Sequence, residues 1–380
     1  MNAPKLRELL LLLLSASVSA AGESATGPEQ TGCIGQATTE TWYVGVYIVT
    51  DNYFRSCTPY KNHTLEEYLE AFVGGVRLYF QGLRSPAIEI VYLGSRNLTS
   101  DEENKVIGSV KSVTETAVKG GDAMKHLMVL PLTSDDQDIT PGNKLLLVLT
   151  RLNITEEETK NSANHVPPNP ESSESDQDPD YDDYGDEDST PRARAAFEKK
   201  SPKNVGGMSD YGSICLMSGA IVQDSGSNFS GVANAAKELA NVLGPMYNGT
   251  INRRVCSEDD QGMDTYHGRQ CGAMRNSQYD EENFECLKDE INGTKGEMMT
   301  PHQFYKKHTA WTPCGTSYTG TKECKDPKTA SQPHESCSLS CCINQSFSFL
   351  NLTHYDIQAP DGQDCESEKI CLGGTCVAAN

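Results

Sequence analysis

Residues 143–150 read NKLLLVLT, with five apolar side chains in succession from Leu145 to Leu149. A strand of that composition offers no polar face to water, so it belongs in the interior of a sheet with both faces covered. The flanking sequence supplies candidates for the cover. Residues 41–50 (TWYVGVYIVT) alternate and read as a strand ending at Asp51. Residues 65–83 place Leu65, Leu69, Phe72, Val76 and Leu78 at helical spacing, and AIEIVYLG (87–94) reads as a second strand before a polar helical stretch. GSICLMSGAIVQD (212–224) is a further strand candidate at a sheet edge, followed by a helix through Glu238. Strands alternating with helices predict an α/β sandwich.

The compartment is legible at the start. Lys5 and Arg7 precede the leucines at 9–14 and a run of small residues, which predicts a signal peptide over residues 1–21. No later stretch approaches the ~20 apolar residues of a membrane span. The remaining roughly 360 residues suggest two or three domains. Fourteen cysteines, an even number in an exported chain, point to disulfides before metal clusters. Eight glycosylation sequons begin at Asn62, Asn97, Asn153, Asn228, Asn248, Asn292, Asn344 and Asn351. The formal charge of −21 excludes nucleic acid as a natural partner and favours basic protein surfaces.

Composition also divides the chain. Residues 155–205 form an insert whose 171–188 portion, ESSESDQDPDYDDYGDED, carries ten carboxylates and no base. Such a segment cannot bury enough apolar area to offset its ordering, so the insert is expected to be disordered. Residues 311–380 hold eight cysteines from Cys314 to Cys376, predicting a small disulfide-stapled module with up to four bridges and the pairing left open.

The chemistry-bearing stretch is 235–250, AAKELANVLGPMYNGT. Long-form zinc proteases carry H-E-x-x-H-x-x-G-x-x-H, in which two histidines share a helix face, the glutamate is the general base and the glycine turns the chain toward the third histidine. Here Glu238, Leu239, Val242, Leu243 and Gly244 stand at that spacing, with Lys237, Asn241 and Tyr247 in the three ligand positions. Residues 206–247 as a whole resemble reprolysin (adamalysin)-type metzincin metalloproteases, especially the tick salivary branch. Cys215, residues 220–224 and residues 235–244 follow that family's order of a Gly-x-x-Cys element, an edge strand ending in Gln-Asp and the zinc helix. CGAM (271–274) is similar to its Met-turn, with Met274 beneath the metal, and residues 359–377 resemble the end of its cysteine-rich module. The resemblance implies a metzincin-like (zincin) sandwich with a mixed sheet over residues 22–310 and a cysteine-rich domain over 311–380.

The departures from the family decide the expected function. An ammonium has no lone pair to give a cation, and a carboxamide or an isolated phenol is a poor substitute for imidazole. Without zinc there is no Lewis acid and no activated water, so Glu238 reads as a vestigial base, solvated or salt-bridged, and no cofactor is expected. His165 and His267 lie far from the helix in sequence. The leading expectation is a secreted, catalytically inactive protease-like protein that binds host extracellular proteins of haemostasis, inflammation or immunity. Two other functions fit the residues. One is an active zinc endopeptidase with unconventional ligands. The other is an antagonist of thrombin or a chemokine acting through 171–194, where Tyr181 and Tyr184 occupy an acidic context suited to sulfation and Pro191-Arg192 follows.

Overall fold

The computed structural model describes residues 41–81, 86–108, 117–130, 141–156, 203–244, 281–293, 298–324, 337–343 and 354–379. All of them belong to one compact unit spanning Thr39–Asn380. The signal-peptide reading over 1–21 and most of the 155–205 insert lie outside the described residues. The insert's two ends are described and ordered: residues 155 and 156 close one strand, and 203 and 204 form another.

Five strands make the central sheet: β1 (Thr41–Thr50), β2 (Ala87–Asn97), β4 (Lys144–Thr150), β7 (Gly207–Ser209) and β8 (Ser218–Gln223). Their order is β2-β1-β4-β8-β7. The first four run parallel, and β7 pairs antiparallel with β8, so the sheet is mixed. β4 sits at its centre, as the apolar run requires. Its side chains divide by alternation, Leu145, Leu147 and Leu149 entering one core and Leu146 and Val148 the other. The strand at 218–223 is internal, flanked by β4 and β8's partner β7. The expectation of an edge strand there is corrected: β7 holds the edge, three residues too short to show a period in the sequence.

Helices α1 (Asn52–Cys57), α2 (Asn62–Phe80), α3 (Ser100–Glu103) and α4 (Gly120–Leu127) occupy the first half, and α5 (Val232–Leu243) follows β8. α2 and α5 cover one face of the sheet, with Tyr68, Leu69, Phe72, Val76, Leu239 and Val242 all buried there. α4 covers the other through Ala123, Met124 and Leu127. A minor sheet, β3 (Ala117–Lys119), β5 (Asn153–Glu156) and β6 (Lys203–Asn204), brackets the insert.

α6 (Pro301–Lys307) and α7 (Pro313–Ser317) lead into two three-stranded sheets. These are β9 (Thr321–Glu323), β10 (Ser338–Ile343) and β11 (His354–Gln358), then β12 (Asp364–Glu366), β13 (Lys369–Leu372) and β14 (Thr375–Ala378). Their eight cysteines form four bridges: Cys314–Cys341, Cys324–Cys342, Cys337–Cys371 and Cys365–Cys376. A fifth, Cys215–Cys286, ties the loop before β8 to residues 281–288. Cys57 is exposed and unpaired among the described cysteines.

The carboxyl-terminal part is anchored on α2. A Cβ on Gly74 would stand 2.2 Å from the carbonyl oxygen of Met299, so only glycine lets that segment cross the helix. Leu372 enters the main core, and the hydroxyl of Tyr79 donates to Asp361 at 3.2 Å. Glu67, buried on α2, takes Lys307 Nζ at 2.7 Å and also meets His308 and His63. An aromatic cluster of Tyr60, Tyr68, Phe229, Phe304, Tyr305 and Trp311 fills the same junction, its rings 4.2 to 5.8 Å apart between centroids.

Two predictions test these contacts. Tyr68 donates to Asp224 at 2.7 Å and accepts the Phe229 N–H at 3.0 Å. Tyr68→Phe removes both bonds from a dry site and is expected to cost about 1–3 kcal/mol, read as a lower urea midpoint at unchanged slope. Burial raises the Asp361 carboxyl from 3.8 to about 6, against bonds from the Gly373 N–H and Tyr79. The folded chain then holds more protons than the unfolded one between those values, so this group's stabilisation is full below 3.8 and lost as pH rises through about 6. Asp361→Asn is expected to flatten that part of the stability–pH profile.

Candidate functional site

α5 is specified by its own sequence. Val232, Ala235, Ala236, Leu239, Val242 and Leu243 form a buried stripe of helical period, and alanine, leucine, lysine and glutamate favour the helix between them. Its start is fixed by Asp224, the residue just after β8, which is fully buried. That carboxylate accepts from the N–H groups of Gly231 and Gly226, each at 2.7 Å, and from the Tyr68 hydroxyl. Burial pushes the Asp224 carboxyl upward, and these hydrogen bonds oppose the push. The helix ends at Gly244, whose φ of 63° suits glycine and whose α-carbon faces Gly212 too closely for a side chain. The last carbonyls are met by the Gly212 N–H on Asn241 and the Ile214 N–H on Val242.

The residues in the protease-like pattern divide within this frame. Glu238 is 3% exposed, so of the two expectations for it, solvated or salt-bridged, burial overturns the first. Its carboxylate accepts from Ser209 Oγ at 2.6 Å. Asn241, one turn on, donates through Nδ2 to the same hydroxyl at 2.9 Å and to the Ser209 carbonyl at 3.1 Å. The Ser209 hydroxyl thus donates to Glu238 and accepts from Asn241, tying the helix to β7. Close approach is possible because β7 carries Gly207, where a Cβ would lie 3.0 Å from Glu238 Cγ. The side-chain oxygen Oδ1 of Asn241 is buried without a hydrogen-bond partner among the described residues. Lys237 lies half-buried on the neighbouring face. Sequence reasoning missed Ser209, since nothing in a three-residue strand marks it as a partner of the helix.

These donors do not fit zinc. The ion needs lone pairs converging on one point, three from the protein in a catalytic site. Lys237 offers an ammonium, and Asn241 has its amide nitrogen turned into Ser209, leaving one carboxamide oxygen. Glu238 is held by the same serine. Tyr247, Met274, His165 and His267 lie outside the described residues, as do Tyr181, Tyr184 and Arg192. Elsewhere, the sulfurs of Cys337, Cys365 and Cys376 lie within 4.8 Å of one another, yet each belongs to a disulfide and has no thiolate for a metal.

Among the sequon asparagines, Asn62, Asn97, Asn153 and Asn292 are exposed, Asn228 is half-buried, and Asn248, Asn344 and Asn351 lie outside the described residues. Asn228 lines a cavity of about 380 Å3 between the start of α5 and the carboxyl-terminal part. The cavity is separate from the Glu238–Ser209–Asn241 cluster, none of whose residues line it. No helix among the described residues is long and apolar enough to cross a membrane. The chain matches no protein-family model and no curated protein.

The cluster generates a double-mutant test. Ser209→Ala takes a donor from a buried carboxylate and an acceptor from a buried amide, and is expected to cost about 1–3 kcal/mol. Glu238→Ala and Ser209→Ala together are expected to fall short of additivity by about 0.5 kcal/mol or more, because they break one bond between them. Urea denaturation of the four proteins measures both numbers.

Proposed function

We propose that this is a secreted, catalytically inactive metalloprotease-like protein that acts by binding host extracellular proteins. The observation carrying the proposal is the engagement of Glu238 and Asn241 by Ser209. The two residues that a metzincin would devote to activating water and holding zinc are occupied in packing α5 against β7. The resemblance to tick salivary reprolysins supplies the metzincin reading, and the mixed sheet followed by α5 is consistent with it. Five disulfides agree with an extracellular setting.

Binding remains when chemistry is lost because recognition needs surface and not a Lewis acid. The charge of −21, concentrated at 171–188, favours a basic partner such as a protease exosite or a chemokine. The described residues of the cysteine-rich segment 311–380, braced by four disulfides, offer a second surface.

Incubation with gelatin, fibrinogen and casein in the presence of added zinc is expected to give no fragments. Capture of plasma proteins is expected to persist in Glu238→Gln, to weaken as salt rises, and to weaken on deletion of 171–194. Chelator-sensitive cleavage that disappears in Glu238→Gln would overturn the proposal.

A further inference from the structure

We propose that the cavity beside Asn228 is a carbohydrate seat, filled by the first sugar of an N-linked glycan on Asn228 itself. The inference requires export of the chain, which is part of the functional reading above, but not the loss of zinc.

Asn228, Phe229 and Ser230 form one of the sequons, and Asn228 is the half-buried member of the described set. A buried sequon is ordinarily a poor acceptor, yet this one opens onto space. The cavity, about 380 Å3, falls within the range of about 300–1,000 Å3 that holds small organic ligands. Its lining suits a sugar. Tyr318 and the edge of Tyr305 line it with aromatic surface for the C–H side of a pyranose, while Ser317 and Gln358 bring hydrogen-bonding groups for hydroxyls and the acetamide. Tyr318 packs edge-on to Tyr355 at 4.7 Å and is still 62% exposed, leaving ring surface that a sugar would partly cover. Among the described residues no lysine or arginine lines the cavity, which disfavours a phosphorylated or carboxylated occupant.

The acceptor atom is also placed for it. Asn228 Oδ1 already accepts from Ser225 Oγ, an arrangement that a glycosylated amide retains. Nδ2, the atom that takes the sugar, has only a long contact of 3.4 Å to Ser317 Oγ. The backbone holds this presentation firmly: Phe229 adopts a φ of 59°, uncommon for a bulky residue, with its N–H bonded to Tyr68 and its ring stacked 4.2 Å from that tyrosine.

The covalent step is ordinary secretory chemistry. A lipid-pyrophosphate-linked oligosaccharide is transferred whole through its first sugar; the bond from that sugar's C1 to the pyrophosphate oxygen breaks and one from C1 to Nδ2 forms. The remaining sugars extend outward through the cavity mouth. The amide nitrogen gives up a proton, and lipid pyrophosphate departs. Because transfer precedes folding, residues 305–318 and 357–361 would close around a sugar already in place.

The test uses full-length protein secreted from a eukaryotic host, with the exposed Asn62 and Asn153 as internal controls. Peptide-N-glycosidase hydrolyses the sugar–asparagine bond and leaves aspartate, which peptide mapping reads site by site. Asn228 is expected to be occupied, and its glycan to be released from native protein about tenfold or more slowly than those at Asn62 and Asn153, since release needs local opening. After denaturation all three should be released alike. Asn228→Gln is expected to lower the melting temperature where Asn153→Gln does not, and Ser230→Ala, which deletes the sequon and keeps the asparagine, should reproduce the effect. An unmodified Asn228 beside occupied controls, or native release as fast as theirs, overturns the seat and leaves the secreted-binder reading intact. Vacancy at every sequon overturns the seat and the export reading together.

Discussion

The carboxylate of Asp224 is the point on which the rest of the arrangement turns. It is wholly buried, at the end of β8 and the entrance to α5, and it joins three elements by hydrogen bonds at one point. Tyr68 brings α2 to it, Gly226 shapes the connecting loop, and Gly231 sets the first turn of α5. An unpartnered charge in that position would be prohibitive, and the bonds around it convert the cost of burial into a demand for one geometry. Tyr68 then passes the constraint on, through Phe229 and the aromatic cluster, to the helices that seat the carboxyl-terminal part.

α5 inherits its direction from that anchor, and its polar residues inherit their surroundings. Glu238 and Asn241 face β7 and share the hydroxyl of Ser209, a buried arrangement in which each group's role is fixed by its neighbour. The features that most resemble an enzyme therefore have structural employment here. Gly244 is needed by the close passage of Gly212, and Glu238 by the serine it holds. A protease-like spacing can thus be maintained by packing alone, without metal chemistry to select it.

Much of the fold was open to sequence reasoning because burial writes itself into periodicity. The apolar run at 145–149 required a central strand, and the heptad-like spacing along α2 required a helix on one face. The cysteine count predicted a stapled carboxyl-terminal segment, while the pairing needed coordinates because eight cysteines admit many connectivities. β7 was illegible, three residues with no period, and with it went the true sheet edge and the partner of Glu238. Asp51 illustrates the same gap: it reads as the end of a strand, yet its buried carboxylate caps α1 and takes the Thr150 hydroxyl at 2.6 Å. Long-range hydrogen bonds of this kind leave no local trace. Of the functional residues, the absence of imidazoles was plain from the start, whereas the burial of Glu238 was not.

Whether α5 is structural or catalytic comes down to the ion it can hold. Zinc per folded chain, measured by elemental mass spectrometry on native secreted protein after dialysis against metal-free buffer, addresses this directly. A content near zero, with no change in melting temperature on adding zinc, is the predicted result. A stoichiometric amount retained through dialysis, and lost together with Lys237→Ala or Asn241→Ala, would contradict it.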